Sequence, residues 1–144
     1  MSLGAAASMG VVSAYQLGIV KHLPEPPVPG LDADAVDASG EAYHYLKTPD
    51  AALGLASYAV TLVLAGAGPG RRAVERPWIP LALAAKVVVD AVSGVYLTVE
   101  QGSKHRRFCS WCLVASGLSA AMVPQVVPEA RVAWGHLRSR RSRS

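Results

Sequence analysis

Cys109 and Cys112 form a C-x-x-C in the stretch Phe108-Cys-Ser-Trp-Cys112, and the chain has 2 cysteines in all. On a helix, positions i and i+3 share a face, so the two sulfurs can join with little rearrangement. A helix N-terminus stabilises a thiolate, and Lys104, Arg106 and Arg107 add positive charge in the flanking sequence. The chemistry this suggests is reversible dithiol–disulfide exchange. The competing reading is two buried, inert cysteines in an apolar helix. No metal site is expected: zinc takes four ligands, and the 4 histidines are scattered. His22, His44 and His105 have no spacing that suggests a catalytic triad.

A second group lies in apolar sequence. Lys86 and Asp90 are four apart, on one helix face. Isolated charges in hydrocarbon are expensive, and a pair facing other helices costs less. Two roles are open for them: an ion pair that fixes helix packing, or delivery of protons to a reduced substrate.

The elements that must position these residues follow from charge distribution. The chain has 144 residues, 51% hydrophobic and 17% charged. Met1–Val20, Ala51–Gly70 and Phe108–Pro128 carry no charged side chain, and Pro77–Val99 carries only Lys86 and Asp90. A helix of about 20 apolar residues spans the roughly 30 Å of a bilayer core. The expectation is an all-α integral membrane four-helix bundle with spans at 3–20, 51–67, 77–99 and 108–127. This excludes a soluble globular domain and a disulfide-dense secreted scaffold.

The net charge of +4 does not indicate nucleic-acid binding, because aromatics do not interleave with the basic residues. It reads as topology. Arg71, Arg72, Arg76 and the five arginines from Arg131 to Arg143 lie on one side of the spans. Lys21, Lys47, Lys104, Arg106 and Arg107 lie on the other. The positive-inside rule places both termini in the cytoplasm and the C-x-x-C near the outer face. Residues 1–130 form one transmembrane domain, and 131–144 a basic cytoplasmic tail, expected to be disordered. Span 1 lacks a basic start and a clear cleavage site, so it is read as retained.

Four prolines between His22 and Gly30 force an extended exit from span 1. Asp32–Lys47 reads as an amphipathic helix on the outer surface. Val36, Tyr43 and Leu46 share its apolar face, and Asp34, Asp37 and Glu41 point elsewhere. Thr48-Pro49-Asp50 starts span 2, and Gly68-Pro69-Gly70 stops it. Pro124 and Pro128 mark the end of span 4. Trp111 reads as an interfacial anchor or as a ring stacked on a bound ligand.

With these features the chain resembles the vitamin K epoxide reductase family from Tyr15 to Gln125. The carrying features are four spans, a long outer loop between the first two, and C-x-x-C opening the fourth. More specific are Ala33-x-x-Val36-x-x-Ser39 and the stretch Pro49 to Tyr58, in which Val36, Ser39, Gly54 and Tyr58 match. Asp50 falls where animal members carry an Asn that binds the quinone.

The resemblance implies a quinone of the ubiquinone or menaquinone type among the helices, with Cys112 facing its ring and Cys109 exchanging with a dithiol. It implies a pocket lined by Ser39, Asp50, Tyr58 and Trp111. An ionised Asp50 only accepts hydrogen bonds, so it would meet a quinone carbonyl protonated or through water. Ser39 and Asp50 also read as a loop hydroxyl and a helix N-terminal acid.

Two departures bear on function. The family's loop cysteine pair is absent, with Ala33 at the place of the second, and so is the fused thioredoxin-like domain of many bacterial members. Ser116 stands where animal members carry an aromatic hydroxyl, so quinone reduction is expected rather than epoxide reduction. The expected function is a thiol–disulfide oxidoreductase of a bacterial inner membrane. It would pass electrons to the quinone from a separate thioredoxin-like dithiol protein or from a small thiol. The alternative is a non-enzymatic membrane module that binds a quinone, a lipid or a partner helix.

Overall fold

The computed structural model describes residues 1–38 and 50–142. Among these the elements are helical: α1 (Ser2–Gln16), α2 (Ala33–Asp37), α3 (Asp50–Gly66), α4 (Arg72–Glu75), α5 (Trp78–Glu100) and α6 (Ser110–Arg141). A π-helical turn, Gln101–His105, follows α5. The only extended pairing among the described residues is a bridge between Leu31 and Phe108.

The long helices pack around one core. α1 lies against α3 and α6, and α5 lies against α6 and α3. Val12, Tyr58, Leu83, Val87, Ala115 and Met122 meet there. The α5–α6 approach is close because Gly94 faces Ser116. A Cβ at Gly94 would sit 2.9 Å from the Ser116 hydroxyl oxygen. Small residues are how helices approach closely without water to drive them together.

The outer surface is apolar as well. Val89, Val92, Val95 and Val99 of α5 are each more than half exposed. Trp78–Lys104 and Ser110–Arg141 are long and apolar enough to cross a membrane, and α3 is a shorter apolar helix.

Two helix ends differ from expectation. α1 stops at Gln16 instead of Val20. Gly18 adopts φ +75°, and the Ile19 N–H reaches back to the Ala14 carbonyl while the Gly18 N–H reaches Tyr15. This is a Schellman stop, which a left-handed glycine permits. α6 instead continues through Pro124 and Pro128 to Arg141, where an end near Val127 and a disordered tail are expected. Proline inside a helix costs about 3 kcal/mol. Here the far segment is held by partners. Arg72 grips Glu129 with two hydrogen bonds of 2.6 and 2.8 Å, and Ala133 is fully buried. The same guanidinium donates to the carbonyls of Leu64, Ala65 and Ala67, capping α3.

Lys86 and Asp90 form a closed network with α3. The Lys86 ammonium donates to both Asp90 carboxylate oxygens at 2.6 Å and to Ser57 Oγ at 2.7 Å. Ser57 and Thr61 donate to Asp90 at 3.0 and 3.1 Å. Removing one partner of such a pair leaves an uncompensated charge, which costs about 3–5 kcal/mol, whereas two apolar residues in its place are tolerated. Lys86→Leu alone is therefore expected to lower the melting temperature in detergent sharply. Lys86→Leu with Asp90→Leu is expected to recover most of it. Equal losses in the single and double variants would refute the structural reading.

Candidate active site at the N-terminus of α6

An extended segment from α1 to α2 straps the end of the molecule where α6 begins. Phe108 N–H donates to Gly30 and Asp32 N–H donates to Phe108, at 2.9 and 3.0 Å. The Glu25 carboxylate accepts from Ala33 N–H through one oxygen and from Ser110 N–H through the other, both at 2.7 Å. One acid thus caps the starts of α2 and α6, where backbone donors are otherwise unpaired.

This strap fixes the cysteines. Cys109 is the N-cap of α6, in an extended conformation, and its sulfur accepts the Cys112 N–H at 3.3 Å. Its own N–H donates to the Gln101 side chain at 3.1 Å. Cys109 is fully buried and Cys112 partly so, and both are free thiols.

The residue over them is Asp37. The Cys112 thiol donates to Asp37 Oδ1 at 3.8 Å, and the donor atoms of Asp37, Cys109 and Cys112 all lie within 4.8 Å of one another. They are one short of the four ligands of a structural zinc site. Asp37 is 3% exposed, and its Oδ2 has no hydrogen-bond partner. It was expected to point away from the apolar face of its helix. The structure turns it inward because Ala33, Val36 and Asp37, at i, i+3 and i+4, occupy one side of α2. That spacing is visible in the sequence, but the acid's polarity argued against the inner face. The rest of the predicted amphipathic helix lies outside the described residues.

The electrostatics also differ from expectation. Arg107 is engaged by Asp32 at 2.6 Å, and Lys104 by Glu100. Both are held by acids at the surface of the molecule. The charged groups around Asp37 are instead Asp50 and Glu25. Burial pushes the Asp37 carboxyl up, repulsion from Asp50 and Glu25 adds to this, and hydrogen bonds from the cysteines partly offset it. The result is about 6.

Beside the sulfurs opens a cavity of about 580 Å³ between α1, α3, α5 and α6. Pockets for small organic ligands fall in a range of about 300–1,000 Å³. Val12, Val36, Leu97 and Ala115 give it an apolar wall, and Cys112, Asp37, Asp50 and Tyr58 add polar atoms. A second hollow, of about 360 Å³, lies beside Tyr15 and Ala38 and is not lined by either cysteine.

The predicted site residues divide as follows. Cys112, Asp50 and Tyr58 line the cavity, whereas Cys109 lies behind it under the strap. Asp50 accepts from the Gln16 amide at 2.7 Å. The Tyr58 hydroxyl is 2.7 Å from that of Ser119. Trp111 does not line the cavity: its indole N–H donates to the Pro24 carbonyl at 2.9 Å and so pins the strap. Ser39 lies outside the described residues. Residues missed from sequence are Asp37, Glu25, Gln16 and Gln101, whose roles depend on partners distant along the chain.

Helices apolar on their outer faces and a dithiol beside an apolar cavity define a membrane-type protein with a redox-capable centre. The model of the Vitamin K epoxide reductase family matches residues 1–127, and the chain belongs to that family. It is a family of membrane oxidoreductases whose activity links thiols to quinones. No curated protein and no solved structure matches the chain significantly.

The raised Asp37 value has a consequence for stability. Asp37 titrates near 3.8 in the unfolded chain and near 6 in the fold. Between those values the native state holds the extra proton, so its contribution to stability falls as pH rises. Asparagine stays neutral throughout. Asp37→Asn should therefore gain melting temperature relative to wild type as pH rises from 4 to 6.5 in detergent, over the range set by these two values. A difference that does not change with pH would contradict the burial of this charge.

Proposed function

We propose that the protein is a quinone-linked thiol–disulfide oxidoreductase that cycles Cys109 and Cys112 between dithiol and disulfide. The observation that carries this is the placement of Cys112 on the cavity wall, with Cys109 behind it under the strap. The two sulfurs therefore face different reactants. The apolar walls suit a quinone of the ubiquinone or menaquinone type, with Asp50 and Tyr58 supplying polar contacts and Ser39 a further candidate.

The cycle balances as follows. A donor thiolate attacks Cys109 Sγ of the disulfide form. The Cys109–Cys112 bond breaks, and Cys112 leaves as a thiolate. The donor's second thiol then attacks the donor sulfur of the mixed disulfide and releases Cys109. Two electrons and two protons pass from the reduced pair to the quinone, giving a quinol and restoring the disulfide. The described sequence has no outer-loop cysteine to relay electrons, and in this reading the donor is a dithiol protein of the thioredoxin-like kind. Cys109 has no exposed surface, so a protein donor must displace the strap to reach it.

In this reading all four long helices cross a bacterial inner membrane. Both termini are cytoplasmic and the cysteines lie near the outer face, as the distribution of arginines supports. The burial of Cys109 also favours a second reading, a module that binds a quinone or lipid without turnover.

Quinone reduction by purified protein in detergent separates the two. With a dithiol reductant and a soluble quinone analogue, wild type should turn over, and Cys109→Ala and Cys112→Ala should each lose essentially all activity. A wild type that binds the quinone but does not reduce it with several dithiol donors would favour the binding module.

A further inference from the structure

We propose that Asp37 is a catalytic residue, the carboxylate that takes protons from the cysteine pair and passes them into the cavity. The inference rests on the redox reading above and adds a group to it.

Its position is specific. Asp37 Oδ1 lies 3.8 Å from Cys112 Sγ, and the Cys109 sulfur belongs to the same cluster. Asp37 and Cys112 also line the same cavity wall. The carboxylate therefore touches the thiol on one side and the space for the oxidant on the other.

Its surroundings offer little structural reason for an acid. The charged groups facing it are Asp50 at the start of α3 and Glu25 of the strap, both acidic. From α1, Gln16 donates to the Asp37 backbone carbonyl and leaves the side chain alone. From α6 come the two thiols. From α5 and the turn after it, Glu100 and Lys104 pair with each other, Asp90 pairs with Lys86, and Gln101 is used on the Cys109 N–H. Asp37 Oδ2 is buried with no partner. Leaving such an acceptor unsatisfied is costly, and an apolar side chain would avoid that cost. The open oxygen is available to hold a proton.

The step balances. The Cys112 S–H bond breaks, its proton binds an Asp37 oxygen, and the electron pair stays on sulfur. Asp37 then releases that proton toward the quinone oxygen as electrons leave Cys112. As Cys109 Sγ bonds to Cys112 Sγ, its proton follows the same route. The sum is two thiols and a quinone giving a disulfide and a quinol, with Asp37 ionised again at the end. At neutral pH a carboxyl that titrates near 6 is mostly ionised, so it can accept.

The test uses full-length protein in detergent, reduced by dithiothreitol, freed of reductant and mixed with a soluble quinone analogue across pH 5 to 8.5. Wild type should lose rate on the acid side, with a midpoint near 6. Asp37→Asn should lower the single-turnover rate about 100-fold and remove that acid limb, since general acid–base groups contribute about 10²–10⁴-fold. Asp37→Glu should restore part of the rate. In a Cys109→Ala background, Asp37→Asn should speed iodoacetamide alkylation of Cys112 at neutral pH, because a nearby negative charge is gone. A damaged fold would also speed alkylation of the partly buried thiol, so the comparison requires that Asp37→Asn melt no lower than wild type at pH 6.5. An Asp37→Asn rate within about threefold of wild type, well short of a general acid–base effect, would overturn the proposal. So would a slower rate that keeps the acid limb, or slower alkylation alongside it. A wild type with no cysteine-dependent turnover overturns the redox reading itself.

Discussion

Glu25 accepts one N–H from the first turn of α2 and one from the first turn of α6, and much of the site depends on that bridge. The two helix starts are distant in sequence and have unpaired donors at their ends. A single carboxylate satisfies both and fixes one helix over the other. The Leu31–Phe108 pairing and the Trp111–Pro24 hydrogen bond hold the same strap down. With α2 held there, its inner face presents Asp37 to the sulfurs, and Cys109 is sealed from solvent. The sealing of Cys109 and the closeness of the acid are thus two sides of one constraint.

Low polarity shapes the interior in two contrasting ways. Between α3 and α5, Lys86, Asp90, Ser57 and Thr61 satisfy one another within hydrogen-bond distance. In that network each charged group has its partner, although Ser57 and Asp90 also border the cavity. At the N-terminus of α6 the arrangement is open. Asp37 is as buried as a core residue, faces other acids and leaves an oxygen unpaired. The same cost that forces closure in the first cluster makes the second responsive to protons. Arg107 and Lys104, which the sequence places beside the cysteines, pair with Asp32 and Glu100.

Apolar runs marked where the long helices lie, because a helix packed among apolar surroundings excludes charged side chains, and one that spans a bilayer core needs about 20 apolar residues. The C-x-x-C marked the start of α6 and put two thiols on one face, because i and i+3 spacing is local. Helix ends were less legible. Gly18 stopped α1 early through its left-handed conformation, and α6 ran past two prolines because Arg72 and Glu129 grip it. A proline reports a missing N–H, but the sequence around it does not show which distant residue compensates.

The sequence by itself determined the helical class, the family and the two cysteines, since each depends on neighbours within a few residues along the chain. Tertiary structure alone decided that Asp37 faces the sulfurs, that Glu25 joins two helix starts, that Cys112 and not Cys109 lines the cavity, and that Trp111 serves the strap. Those facts depend on contacts between segments far apart in sequence. Periodicity states which residues share a face of a helix, but it does not state what that face will meet.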